Sequence, residues 1–255
     1  MHGLKSEMLK YKRTFMRRLV VFIPLFFTVY AVIMHATLMK NPLSENSRWM
    51  WQSLLALIYN WWPLAFLPLG FALFAALAAA QEKKSGNYRS LRAHDVPPAA
   101  LWADKIAAMS IHSLFSTLIL SISAVMAGVL SGSGSVPFGQ IIAAGALCWI
   151  TSLVLIPLQL WAATKGGIFL SMGIGFAGMA AGILAAPQPY WIAVPWSWAT
   201  RLMCPVIGVH PNGMVLESGH PLLDASVIPV GIAVSIAAFL VVSFLTAAWF
   251  KRREG

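Results

Sequence analysis

The stretch SLLALIYNWWPLAFLPLGFALFAALAAAQEKKSGNYRSLRAHDVPPAALWADKI, residues 53–106, decides the reading of this chain. Residues 53–80 carry no charged side chain, whereas residues 81–105 carry five cations. About 20 residues of α-helix cross the ~30 Å hydrocarbon layer of a bilayer, so the first part is long enough to span a membrane and the second is confined to one of its surfaces. Working outward, further apolar runs occupy 19–39, 106–130, 138–164, 168–186 and 227–250. Six crossings place both termini on the same face. On that face lie six cations in 1–18, five in 81–105, one at Lys165 and three in 251–253, against two in 40–52 and one in 187–226. The positive-inside rule makes that face cytoplasmic.

The composition, 59% apolar and 10% charged, excludes an ordinary soluble fold. A net charge of +10 invites a nucleic-acid reading, but the cations border membrane runs and form no aromatic-interleaved basic face, so no nucleic-acid partner is expected. Cys148 falls in the fourth run and Cys204 in an outer loop, which assigns both to packing as free thiols. The first apolar run is longer than a signal-peptide core and has no small-x-small cleavage site, so it is expected to stay as a span. All eight carboxylates lie outside the centres of the runs, and only His35, His112 and Lys165 are ionisable groups near hydrocarbon. There is no His-Glu-x-x-His, Cys-x-x-Cys, Gly-x-Ser-x-Gly or phosphate loop, hence no catalytic residue, metal site or cofactor of the chain's own is expected.

The leader, residues 1–18, places Leu4, Met8, Tyr11 and Phe15 on one helical stripe with Lys5, Lys10, Lys12, Arg13 and Arg17 off it. That pattern predicts an amphipathic helix in the cytoplasmic headgroup layer. The 33 residues between Arg48 and Glu82 are uncharged, about 50 Å of helix, so part of the run must lie at the outer interface, with a kink at Pro63 and Pro68. Residues 131–137, SGSGSVP, form a short outer turn. Gly178 and Gly182 offer a close-approach face on the fifth run. Residues 187–226 contain four Tyr or Trp residues and six prolines, and read as short helices or a re-entrant hairpin resting in the outer interface.

The segments SEMLKYKRT (6–14) and AQEKKSGNYRSLRAHDVPPAALWADKI (80–106), with six spans and both ends inside, resemble the permease subunits of lantibiotic-immunity (bacteriocin self-protection) transporters of the ABC-2 exporter family. The motifs cover about 40 residues and depart from the family at the double proline 97–98. The resemblance implies an all-α membrane permease with the ABC-2 type exporter fold, a single domain over 1–255 in a bacterial cytoplasmic membrane. Its coupling segment would be Glu82, Lys83, Lys84, Gly86, Asn87, Tyr88, Arg89, Leu91 and Arg92 in the 81–105 loop, docking a cytosolic ABC ATPase that binds ATP and Mg. A second permease is implied as well, a homologous heterodimer being favoured over a homodimer. The substrate implied is a lantibiotic or similar antimicrobial peptide. The alternatives are a lipid-like or drug substrate, or a membrane assembly subunit outside the ABC class.

For a cationic peptide taken from the membrane, outer aromatics and carboxylates offer an attractive path: Trp49, Trp61, Trp62, Trp196, Trp198 and Glu217, with Trp51, Trp191, Glu45 and Asp224 beside them. Aromatic belts that merely anchor a protein at the bilayer surface have the same composition.

Overall fold

The structure is a computed structural model that describes residues 2–12, 14–38, 47–84, 86, 97–130 and 135–254. Among these residues the α-helices are α1 (His2–Tyr11), α2 (Phe15–Leu38), α3 (Ser47–Trp61), α4 (Leu67–Lys84), α5 (Pro98–Leu130), α6 (Phe138–Ser152), α7 (Leu155–Ala185), α8 (Trp198–Ile207) and α9 (Val227–Glu254). The only extended pairing among them is an isolated antiparallel bridge, Val209 with Val215. Long Ala- and Leu-rich runs without breakers become helices because a helix satisfies every backbone N–H and C=O within the segment, as hydrocarbon demands.

Among the described residues five stretches are long and apolar enough to cross a membrane: Phe15–Met34, Trp51–Lys84, Pro98–Leu130, Leu155–Ala185 and Val227–Arg253, while Phe138–Ser152 is apolar but shorter. The expected run 138–164 is not one helix. Pro157 has no N–H to give, and the chain breaks after Ser152 into 3₁₀-type bonds, Leu153 N–H to Ile150 and Ile156 N–H to Leu153, before α7 begins.

α7 itself folds back. Gly167 has φ 68° and ψ −158°, a region open essentially to glycine alone. Across it Ser171 Oγ donates to Gln159 Oε1 at 3.0 Å, although twelve residues of continuous helix would separate them by about 18 Å. Residues 155–166 and 168–185 are therefore the two antiparallel arms of a helical hairpin. The second arm packs on α4: Ser171 also donates to the Ala72 carbonyl at 2.8 Å, and a Cβ on Gly175 would fall 2.8 Å from that of Ala72.

The proline in NWWPLAF bends the second run as expected. With the Pro63 N–H missing, the helix widens to a π turn over Trp62–Phe66, and Leu67 N–H reaches back to the Trp62 carbonyl. Pro68 is simply carried within α4.

Three boundaries differ from the sequence reading. α2 starts at Phe15 and not at 19, taking over the last residue of the leader stripe. α5 starts at Pro98 and not at 106, because proline suits the first helical position and nothing in ALWADKI stops the helix. In the expected outer segment 187–226, part of the chain is packed into the bundle. Short 3₁₀ turns at Trp191–Ala193 and Pro195–Ser197 lead into α8, and every residue from Trp198 to Cys204 is buried against the bundle.

α1, the end of α4, the start of α5, the hairpin turn of α7 and the end of α9 meet at one end of the bundle. Lys105 on α5 bonds Glu7 and Glu82, Trp102 stacks on Phe250 with centroids 4.6 Å apart, and Arg253 donates to the Thr164 carbonyl at 2.8 Å. At the opposite end α8 and its flanking turns plug the space between α3, α6 and α9. Among the described residues Arg48 and Arg201 are the cations at that second end.

Candidate functional site

The densest polar arrangement is a four-charge cluster at the first end. Lys105 Nζ lies 3.0 Å from Glu7 Oε2 and 2.5 Å from Glu82 Oε1, and Lys10 Nζ lies 2.6 Å from Glu7 Oε1 and 2.7 Å from Glu82 Oε1. Glu7, Glu82 and Lys105 are 2%, 6% and 2% exposed. Each ion is costly to bury alone, and the alternation of two carboxylates and two ammonium groups is what makes the cluster tolerable. Burial would lower the Lys10 pKa, but hydrogen bonds and attraction from Glu7 and Glu82 outweigh it and raise the value above that of an ordinary lysine.

The local sequence explains the geometry. Glu7 and Lys10 stand three residues apart on α1, so both reach the same side. Glu82 ends α4, and Lys105 lies two turns inside α5, so the cluster ties α1 to both stems of the 85–96 segment. Below it Tyr11 packs edge-on to His112 at 5.2 Å and against Phe74 at 5.4 Å, and His112 Nδ1 is 2.8 Å from the Ala108 carbonyl. Leu4 and Met8 of the leader stripe pack on the protein core, and Tyr11 is buried in it. The amphipathic face of α1 is thus spent on the bundle, while Phe15, now on α2, is exposed.

At the other end a cleft of about 920 Å³ opens beside Trp51, Gln52, Gln140, Val206, Gly208 and Ser218. Gln140 Nε2 donates to the Val206 carbonyl at 3.3 Å, and Gly208, at φ 71°, ends α8 in the left-handed conformation. Among the described residues no charged side chain lines the cleft. Arg201 is turned inward, donating to the Leu222 carbonyl at 2.9 Å with its guanidinium 5.9 Å from the Trp191 ring centre.

The outer aromatics separate into two kinds. Trp61 is exposed, at 47%. Trp62, Trp191 and Trp198 are buried, Trp62 near Phe27 and Phe66, and Trp198 donating to the Ile192 carbonyl at 2.9 Å. Trp51 packs against Gly128, where a Cβ would fall 1.9 Å from its ring. The Trp196 indole sits on Gly178 and its backbone on Gly182, so the small-residue face of the fifth run receives a tryptophan and not a second long helix. Trp49 is on α3 with its side chain outside the described residues, and Glu217 is exposed in the turn before Pro221–Leu223. Of the path residues whose side chains are described, Trp61 and Glu217 are exposed, Trp196 is half-buried, and Trp62 and Trp198 are buried.

Residues 3–182 match the model of the ABC-2 family transporter proteins, more than half of the chain. The chain belongs to that family. No curated protein matches closely enough to add a substrate.

ABC-2 membership implies partnership with ABC ATPase subunits, and in this membrane component the match runs from α1 through both arms of the α7 hairpin. It includes the cluster and the segment between its stems. Of the coupling residues expected there, Glu82 is buried in the cluster, Lys83 and Lys84 are exposed at the end of α4, and Gly86 turns at φ 94° with its N–H toward the Lys83 carbonyl. Asn87, Tyr88, Arg89, Leu91 and Arg92 lie outside the described residues. Sequence reasoning placed Glu82 on a docking surface and did not connect it with Glu7, Lys10 and Lys105. The available signal was Glu7, the one acidic residue among six cations in 1–18.

Proposed function

We propose that the chain is the transmembrane permease subunit of an ATP-driven ABC exporter, with the segment 82–92 receiving a cytosolic ATPase. The observation that carries this reading is the charge cluster. It clamps both stems of that segment to α1, so a push on the segment moves three helices together. In this reading the fourth crossing is built from α6 with residues 155–166 and the fifth from residues 168–185, giving six crossings with the charged end cytoplasmic. ATP and Mg belong to the partner ATPase. A second, homologous permease completes the pathway, and the whole chain acts as one permease domain in a bacterial cytoplasmic membrane.

The substrate we favour is a lantibiotic or similar antimicrobial peptide, exported for self-immunity, which rests on the resemblance of 6–14 and 80–106. The cleft near Trp51 and Gln140 supports a second reading, a neutral lipid-like or drug substrate, because its described lining residues offer amide and hydroxyl groups and no carboxylate for a cationic guest. Leu91→Asp with Gly86→Asp tests the docking assignment. Co-purification of the ATPase should fall about tenfold or more, as for loss of an interface anchor, at unchanged membrane content of the permease. An intact complex with full ATP-driven activity would move the docking site elsewhere.

A further inference from the structure

A cavity of about 670 Å³ opens at the charged end between the last turns of α4, the turn of the α7 hairpin and the last turn of α9. Its floor is made of small residues, Ala76, Ala80, Gly166 and Gly167, which leave the volume unfilled. Its charged walls are Lys83, Lys165, Arg253 and Glu82. Glu82 is already held by Lys10 and Lys105, at 2.7 and 2.5 Å, so among the described side chains the charge facing the cavity is positive. Lys165 stands 5.2 Å from the centre of the Trp161 ring, and Arg253 stands 5.5 Å from that of Trp249 while donating to the Thr164 carbonyl. Cations held over indole rings at one end of an apolar bundle mark the headgroup level. The wall continues through Ile168 to Phe169, which is 89% exposed, so the cationic mouth opens directly onto apolar surface.

A site with a basic mouth and an apolar flank fits an amphiphile with an anionic head. We propose that this cavity binds an anionic phospholipid, its phosphate among Lys83, Lys165 and Arg253 and its acyl chains along Ile168 and Phe169. A free phosphate or nucleotide shares the headgroup chemistry but gains nothing from the apolar flank. The site requires only that the chain be embedded in a membrane and does not depend on what the exporter carries.

The test uses the purified full-length chain in detergent, titrated with phosphatidylglycerol, phosphatidylcholine or inorganic phosphate and read by native mass spectrometry and thermal stability. The site predicts retention of phosphatidylglycerol over phosphatidylcholine. Lys83 and Lys165 are exposed, and among the described residues neither side chain makes a hydrogen bond, so Lys83→Gln with Lys165→Gln leaves the fold intact. With each surface cation contributing about fivefold, the double variant should bind phosphatidylglycerol about 25-fold more weakly, and Lys83→Arg with Lys165→Arg should restore it. Equal retention of both lipids, or unchanged binding in the Gln variant, overturns the proposal. Lysine-dependent stabilisation by inorganic phosphate without preference between the lipids also overturns it, by making the cavity a free-phosphate site.

Discussion

Lys105 carries the most consequential side chain in the bundle, because two buried carboxylates depend on it. Lys105→Met leaves Glu7 and Glu82 sharing Lys10 alone, and breaking a buried ion network in this way costs about 3–5 kcal/mol. The measurement is thermal denaturation of the solubilised protein. A melting temperature equal to wild type would show that the cluster is not formed. Glu82→Gln should cost less, since a neutral amide still donates and accepts where a missing cation does neither. The pH dependence follows from Lys10, whose pKa is raised in the folded chain. A raised value means its contribution is complete below the ordinary lysine range and is lost only as pH climbs through the higher folded value, so stability should not fall between pH 7 and 9 on its account. A loss in that window that Lys10→Met abolishes would contradict the assignment.

At the scale of elements the α7 hairpin is the boldest feature, and glycine makes it possible. Gly167→Ala places a Cβ where φ is 68° and ψ is −158°, which should destabilise the fold by about 1–3 kcal/mol in the same denaturation assay. A cysteine pair at Gln159 and Ser171 provides the geometric check. In the hairpin a short bifunctional thiol reagent with a reach of about 8 Å joins them, and in a straight helix about 18 Å apart it cannot. Gly178→Val should displace Trp196 and cost about 1–3 kcal/mol, much of it relieved by Trp196→Ala, and strict additivity of the two would show that they do not touch. Much of this level was legible in the sequence: the apolar runs fall on helices, and Pro63 bends the run that it was expected to bend. The Gly167 turn was not, since glycine is common in membrane helices and a single residue does not announce its φ. Nor was the burial of α8, because aromatic and apolar residues suit a headgroup layer and a protein interior equally well. The cluster was hidden for a different reason: its partners lie 23, 72 and 98 residues apart, and residue spacing reports only neighbours on one helix.

For the whole molecule the decisive property is that, among the described residues, most of the charge lies at one end. This much the cation counts anticipated, and the structure gathers α1, the loop stems, the α7 turn and the end of α9 there. The proposed orientation predicts that Asn212→Cys, at an exposed turn of the opposite end, reacts with an impermeant maleimide on intact cells. Cys148 and Cys204 are buried, and burial pushes the Cys204 thiol up to about 11, so the native thiols should stay silent. Labelling only after lysis would invert the topology. The claim on which the functional account stands is that the segment between the cluster's two stems meets an ABC ATPase. A photo-crosslinking amino acid at Tyr88, irradiated in intact cells, tests it most directly. The account predicts one dominant crosslinked product containing an ABC ATPase and lost in the Leu91→Asp variant; crosslinks that contain no ATPase, while the ATPase still co-purifies with the permease, would contradict it.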